Sequence, residues 1–143
     1  NVLVGEFDAA NGGWRLSKRR KPPEGVPYSE ASYVECSRGN PADKWFFSAL
    51  DISRLSASGV YEAVGPQFQG DPHGYGRNEL VQVVPLNLAL VLAVQPPRNF
   101  VGLRDYLRDM CGVGFPTEGI VFAHPDGRLA KIKRRDFGLK WPL

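Results

Sequence analysis

The sequence predicts an α+β fold in which antiparallel sheets form a cleft and a helix packs outside them. The first observation is that apolar runs rich in β-formers alternate with turn residues, most clearly over 1–18 and 117–138. The second is a single stretch with helical spacing, Phe100 to Cys111, which follows a good capping residue, Asn99, and stops at Gly112. The chain of 143 residues is long enough for one domain with one core.

The first third of the chain is predicted to contain a hairpin and a core segment. Asn1 to Phe7 and Trp14 to Lys18 are strands that pair across the turn between them. Lys44 to Leu50 is aromatic and apolar, and we interpret it as a core segment because bulky aromatic residues are usually buried. A short helix is predicted from Leu50 to Ser56.

Gly59 to Val64 is predicted to be a strand with a carboxylate on an apolar face. Val60, Glu62 and Val64 share that face because strand side chains alternate with a period of two. If the face is buried, Glu62 needs a partner or a ligand hydroxyl. If the face is the solvent side of an edge strand, Glu62 needs neither.

The next apolar run, Glu79 to Val94, is predicted to form one or two buried strands that are split near Pro85. It contains no aromatic residue between Leu80 and Val94. The run is too short and too mixed to span a membrane.

Residues 117–138 are predicted to form a second hairpin around a turn of His, Pro, Asp and Gly. The expected register pairs Ala123 with Arg128, and therefore Glu118 with Lys133. In that register Glu118, Lys131 and Lys133 lie on one face of the ribbon. A two-residue loop keeps this arrangement, whereas a three-residue loop breaks it.

One carboxylate and two ammonium groups on one face suggest a site for phosphate. Two lysines on neighbouring positions of a strand face repel each other unless an anion lies between them. A carboxylate beside them could hold a divalent metal that also contacts the phosphate. The alternative is a solvated hairpin with a surface ion pair, which stabilises a protein little.

Composition favours a phosphate-bearing partner and a reducing compartment. The formal net charge is +3 and the pI is about 9.0, which is mildly basic. The two cysteines, Cys36 and Cys111, form neither a disulfide framework nor a metal spacing, so we expect a cytoplasmic protein. No signal peptide is recognised. The basic residues cluster at Arg15, Lys18, Arg19, Arg20 and Lys21 and at Lys131, Lys133, Arg134, Arg135 and Lys140.

The second hairpin resembles a known family of enzymes. Glu-Gly-Ile-Val from Glu118, followed by Lys-Ile-Lys from Lys131, is similar to motifs IV and V of the covalent nucleotidyltransferases. The longer string from Glu118 to Leu139 is most similar to the ATP-dependent RNA ligases. Tyr61 to Gly70 resembles motif III of the same enzymes, in which a glutamate after an aromatic residue precedes Gly-Pro.

The resemblance implies a nucleotidyltransferase domain over 1–143 that uses ATP with Mg²⁺ or Mn²⁺ and acts on RNA ends. It implies that Lys131 and Lys133 contact the α-phosphate and that Glu118 holds the metal. Arg19 would reach the ribose or a phosphate, although Lys18 lies close enough to be an alternative, as does its neighbour Arg20. Glu62 would contact the ribose or the metal shell. We expect a monomer with no membrane partner.

The family forms its nucleotide adduct on the lysine of a Lys-x-Asp-Gly motif, which is absent from residues 1–143. The resemblance therefore implies that this lysine lies just upstream of Asn1. It leaves the residue that stacks on adenine unassigned. Two other functions stay open at this point: a DNA ligase or capping-type nucleotidyltransferase, and a non-catalytic module that binds nucleotide or RNA.

Overall fold

The computed structural model describes residues 1–27, 29, 32–84, 92, 94–112 and 116–142. The chain divides into two units, one formed by Asn1–Asp71 with Tyr75–Val91 and the other by Pro72–Gly74 with Leu92–Leu143. Each unit contains antiparallel strands and a helix, which confirms the predicted α+β class with antiparallel sheets. Neither of the helices in the described ranges has the length and hydropathy that a membrane crossing requires.

The strands of the first unit are β1 Val2–Asp8, β2 Gly13–Arg19, β3 Tyr33–Glu35, β4 Gly59–Val64 and β5 Glu79–Val84, and they form one antiparallel sheet with the order β3-β2-β1-β4-β5. The hairpin predicted at β1 and β2 and the strand predicted at β4 are confirmed. Strand β3 was not predicted, because three residues are too few to show an alternating pattern. The end of the predicted apolar run, at 85–91 and 93, lies outside the described residues.

Strand alternation gives this sheet one apolar face, on which helix α1, Lys44–Ser53, packs. The Ser53 hydroxyl joins helix and sheet, because it donates to the Ala49 carbonyl at 2.6 Å and accepts from the Leu80 N–H at 2.7 Å. The most buried members of this core are Leu3, Leu16, Ala49, Tyr61 and Ala63.

The predicted core segment at Lys44 to Leu50 and the predicted helix at Leu50 to Ser56 are one helix, so that prediction was wrong about where the helix starts and ends. A 3₁₀ turn, Pro41–Asp43, leads into α1, and the Asn40 side chain accepts from the Ala42 N–H at 3.0 Å. A proline and a capping side chain of this kind start a helix whatever the aromatic content behind them. Phe47 of this helix is buried with Ala49 and Leu50, whereas Trp45 stays exposed.

The second unit is built on helix α2, Phe100–Gly112, and a two-stranded ribbon. Asn99 caps the helix as predicted, since its Oδ1 accepts from the Gly102 N–H at 2.8 Å. Leu103 and Leu107 of α2 form a buried cluster with Ile120 of the ribbon. The helix position predicted from the sequence is therefore confirmed.

The ribbon consists of β6, Gly119–Ala123, and β7, Leu129–Lys133, and its predicted register is wrong by one residue. Ala123 pairs with Leu129 and not with Arg128, and Ile120 pairs with Ile132 and not with Lys131. The His124 N–H donates to the Arg128 carbonyl at 2.9 Å, so the loop proper has three residues, 125–127. This register pairs two isoleucines on the face that packs against α2.

A short 3₁₀ helix, Arg134–Phe137, follows β7 and contains a buried arginine. The Arg134 guanidinium donates to the Leu107 carbonyl at 2.6 Å and to the Lys140 carbonyl at 2.9 Å. Arg134 thus ties α2 to the end of the chain. The prediction that Arg134 belongs to a basic surface patch was wrong, because its side chain is buried and bonded to main-chain carbonyls and is therefore structural.

Candidate functional site

Glu118 and Lys133 form an ion pair at the open end of the ribbon, in which Lys133 Nζ donates to Glu118 Oε1. With the observed register, strict alternation would place the two side chains on opposite faces. Glu118 lies one residue before Gly119, which pairs with Lys133, and its carboxylate reaches the Lys133 ammonium at this end of the ribbon. The pair predicted from sequence is therefore present, although the pairing scheme used to predict it was wrong.

Gly119 allows the two strands to approach each other beside this pair. Lys133 lies opposite Gly119 in the ladder. A Cβ at residue 119 would lie 2.2 Å from the Ile132 carbonyl oxygen and 2.9 Å from Lys133 Cα. Any side chain here would push β7 away, so glycine is required next to Glu118.

The pKa of Glu118 is lowered although the residue is partly buried. Burial by itself raises the pKa of this carboxyl group, but the hydrogen bond from Lys133 and the charges of Lys131 and Lys133 outweigh burial. His73 adds a smaller lowering effect. Nearby positive charge therefore favours the carboxylate form of Glu118.

Lys131 is exposed and pairs with Val121 across the ribbon. It lies near enough to Glu118 to lower the pKa of that carboxyl group through its charge. Two lysines and one carboxylate are thus gathered within one unit, although the shared face predicted from the sequence depended on a register that is wrong. This arrangement offers positive charge to an anion and one carboxylate oxygen to a cation.

The fit of a divalent metal to this site depends on Glu118. In the described part of the chain no three His, Cys, Asp or Glu side chains are grouped so that they could hold a metal ion. Mg²⁺ is commonly held by one or two carboxylates together with substrate phosphates and water. The donor set fits a metal that arrives with a phosphate ligand and does not fit a metal caged by protein groups alone.

Arg19 and Glu62 lie on the same face of the five-stranded sheet, which we call the outer face. Glu62 lies between the buried residues Tyr61 and Ala63 and therefore points away from the core. Val2 pairs with Glu62 on one side, and the ladder that pairs Leu3 with Lys18 places Arg19 beside Val2 on the other. Arg19 and Glu62 are therefore in one row, two strands apart, or roughly 10 Å.

The surroundings of Glu62 show whether the face of β4 that carries it is buried or exposed to solvent, which the sequence left open. Its side chain is 45% exposed, so it lies on a solvent-facing side of the strand, and its Oε1 is 3.1 Å from the main-chain nitrogen of Asn1. The strand is not at an edge, because β4 lies between β1 and β5.

The side chains of Lys18 and Arg19 point to opposite faces of the sheet. Lys18 lies on the core face and forms an ion pair with Asp43, whose side chain is only 1% exposed. Asp43 also accepts from the Ser37 N–H at 3.0 Å. Lys18 is thereby a structural residue, which leaves Arg19 as the better of these two candidates for a ligand.

His73 was not predicted as a site residue. It lies in a Gly- and Pro-rich loop, yet its Nδ1 is 3.2 Å from the Pro116 carbonyl and its ring packs against Trp141 with centroids 5.1 Å apart. No sequence spacing indicates this contact, because Pro116 is 43 residues away.

Two surface cavities of about 350 and 430 Å³ lie along α1. Both contain Arg38 and Asp51, which form a bidentate ion pair with distances of 2.7 and 3.3 Å. Neither cavity is lined by a predicted site residue.

Comparison with known proteins finds a partial similarity to an RNA ligase. No protein-family model matches the chain. A stretch of 83 residues is 34% identical to RNA ligase 1 of Danio rerio. This stretch covers 57% of the chain and 25% of that relative, so the chain spans about a quarter of the relative's length. The relative's name falls in the enzyme class that the motifs of the sequence resemble.

Proposed function

We propose that this chain is the nucleotide-binding part of an ATP-dependent RNA ligase, which joins RNA 5′-phosphate and 3′-hydroxyl ends. The observation that carries the proposal is the Glu118–Lys133 pair beside Lys131, because it assembles the groups that a nucleotide phosphate requires. The similarity of 83 residues to an RNA ligase supports the same class.

The proposed reaction starts from a lysine that precedes Asn1. Its neutral amine attacks the α-phosphorus of ATP, a P–N bond forms, the bond from the α-phosphorus to the bridging oxygen breaks, and pyrophosphate leaves. The amine proton goes to solvent. An RNA 5′-phosphate oxygen then attacks the same phosphorus, the P–N bond breaks, and the lysine nitrogen takes up a proton from solvent as it leaves. The RNA 3′-hydroxyl oxygen finally attacks the phosphorus of the RNA 5′-phosphate, a phosphodiester bond forms, the bond to the AMP oxygen breaks, AMP leaves and the hydroxyl proton goes to solvent.

Lys133 and Lys131 would stabilise the charge that builds on the α-phosphate. The ion pair of Lys133 with Glu118 is partly exposed, with side chains 25% and 33% accessible, so it contributes little stability and can be exchanged. A phosphate oxygen can replace Glu118 as the partner of Lys133. Donors already in position at the reacting phosphate lower the barrier without further rearrangement. The same cations would lower the pKa of the attacking lysine.

Glu118, once it has released Lys133, would be the residue that holds Mg²⁺ or Mn²⁺. A bound divalent ion would supply further neutralisation of phosphate charge. Glu118 itself would orient the ion. On the outer face of the first unit, we assign Arg19 to the ribose or a phosphate and Glu62 to the ribose or the metal shell.

The test is covalent labelling of the full-length protein that contains these residues. We expect incubation with ATP labelled at the α-phosphate and Mg²⁺ to leave AMP on a lysine upstream of Asn1, mapped by mass spectrometry after digestion. An adduct within residues 1–143 would contradict the mechanism. ATP binding without an adduct would favour the non-catalytic binding module.

Three lysine variants give the matched comparison. Lys131→Ala and Lys133→Ala should each lower the rate of AMP transfer by about 100-fold, since one donor to a reacting oxyanion is worth that much. Lys140→Ala removes an exposed lysine of the same unit and should react as the wild type does. Equal rates in all three would rule out the phosphate role.

Joining assays with RNA and DNA ends, and labelling with GTP, separate the RNA ligase from a DNA ligase or a capping-type enzyme.

A further inference from the structure

The segment 116–118, which leads into β6, is held at both of its ends. The Glu118 carbonyl accepts from the Arg134 N–H at 2.9 Å, which continues the ladder of the ribbon. At the other end, the Pro116 carbonyl lies 3.2 Å from Nδ1 of His73. A carbonyl only accepts hydrogen bonds, so Nδ1 carries the hydrogen and donates it. His73 is thus the hydrogen-bond donor to the segment that carries Glu118.

The imidazole that makes this bond is itself held in place. Its ring lies against the Trp141 indole, with centroids 5.1 Å apart and an angle of 45° between the planes. Packing between aromatic rings restricts their rotation and adds to the stability of the contact. Trp141 therefore helps to hold the imidazole in the orientation in which its Nδ1–H donates to the Pro116 carbonyl.

The Pro116 carbonyl lies two residues before Glu118, whose own bonds include the ladder bond to Arg134 and the exchangeable Lys133 pair. A carboxylate that must change partners during a reaction needs a fixed main chain, because the side-chain pair is broken at that moment. Hydrogen bonds made by residues outside a reaction site commonly orient the residues inside it.

We propose that His73 is a positioning residue for Glu118, which acts through the Pro116 carbonyl and is held in place by Trp141. The catalytic consequence rests on the proposed function. The positioning itself does not, and it can be measured without turnover.

Two substitutions separate the hydrogen bond from the ring. His73→Asn places an amide N–H at about the position of Nδ1 and keeps the donor. His73→Phe keeps an aromatic ring beside Trp141 and removes the donor. His124→Phe is the matched control, since His124 is 57% exposed in the turn of the ribbon and contacts Asp126.

The first measurement is amide hydrogen exchange of Arg134, whose N–H reports the position of the Glu118 carbonyl. In the full-length protein, His73→Phe should accelerate this exchange by about tenfold through local opening, whereas His73→Asn and His124→Phe should match the wild type. Unchanged exchange in His73→Phe would overturn the proposal.

The second measurement is the rate of AMP transfer to the protein over a range of ATP concentrations. We expect His73→Phe to lower the maximal rate by about 10- to 100-fold with little change in the ATP concentration at half-maximal rate, and His73→Asn to recover most of it. Equal losses in both variants would mean that the imidazole acts by charge or on the substrate, and would overturn positioning. If the wild type forms no adduct, the proposed function fails, and the exchange measurement alone decides the role of His73.

Discussion

Among the residues that the structure describes, two lysine–carboxylate pairs differ in how far water reaches them. In the first unit, Asp43 is 1% exposed and its partner Lys18 is 13% exposed. In the second unit, Glu118 is 33% exposed and Lys133 is 25% exposed. Both oxygens of Asp43 are bonded, one to Lys18 and one to the Ser37 N–H. The first pair is thereby closed to other partners, whereas the second can exchange.

The pKa of each acid does not distinguish the two pairs. Burial raises the pKa of Asp43 and of Glu118, and in both cases a lysine hydrogen bond and nearby positive charge lower it further than burial raises it. Each acid also has a second cation nearby, Arg20 for Asp43 and Lys131 for Glu118, so the difference lies in solvent access. An ion pair therefore indicates a ligand site only when it is exposed enough to be exchanged.

The largest expected effect is on stability, from breaking the buried pair. Asp43→Ala leaves the Lys18 ammonium in the interior without a partner, and it should lower the free energy of unfolding by about 3–5 kcal/mol. Urea unfolding followed by the indole signals of Trp14 and Trp141 in NMR spectra would report the two units separately.

Two controls accompany this measurement. Asp51→Ala breaks the exposed pair with Arg38 and should cost at most about 1 kcal/mol. Replacing both partners together, with Lys18→Met and Asp43→Leu, should recover most of the loss, since apolar residues tolerate the interior. A loss below about 1 kcal/mol in Asp43→Ala would remove the contrast between the pairs.

The next effect concerns the close approach of the strands beside Glu118. Gly119→Ala puts a methyl group against the Ile132 carbonyl and should destabilise the second unit by about 1–3 kcal/mol. Gly39→Ala is the matched control, because its Cβ would meet only the Ser37 hydroxyl, at 3.6 Å. Equal unfolding midpoints for both variants would contradict the need for glycine at 119.

A smaller effect on stability, with a large effect on activity, is expected from the exchangeable pair. Glu118→Gln should change the free energy of unfolding by less than about 1 kcal/mol because the pair is partly exposed. AMP transfer should fall sharply, and its dependence on Mg²⁺ concentration should change. An unaltered metal dependence would argue against the metal role of Glu118, and a stability loss as large as that of Asp43→Ala would make the pair structural.

The smallest effect is the pH dependence of stability. The folded-state pKa of Asp43 lies below its unfolded value, so its contribution is complete above about pH 4 and is lost as the pH falls through the folded value. The same sign applies to Glu118. Asp43→Asn should flatten the acid limb of the stability curve of the first unit. Glu118→Gln should flatten that of the second unit less, and a reversed order would contradict the assignment by exposure.

Sequence reasoning succeeded where structure is local. The strands β1, β2 and β4 and the ends of the ribbon follow from alternation and from turn residues between short runs. Helix α2 follows from its spacing and from Asn99. The gathering of Glu118 with Lys133 follows from the closeness of two strands joined by a short turn.

The sequence by itself determined the fold class, most strands and the composition of the candidate site, because these depend on neighbours within a few residues. The tertiary structure alone decided the register of the ribbon, which the packing of Ile120 and Ile132 on α2 selects over a pairing of Ile120 with Lys131. It also distinguished the roles of Lys18 and Arg19, because only the packed sheet shows that Lys18 is on the core face, paired with Asp43, and that Arg19 is on the outer face. It brought His73 to Pro116 across 43 residues, a contact that no local pattern records.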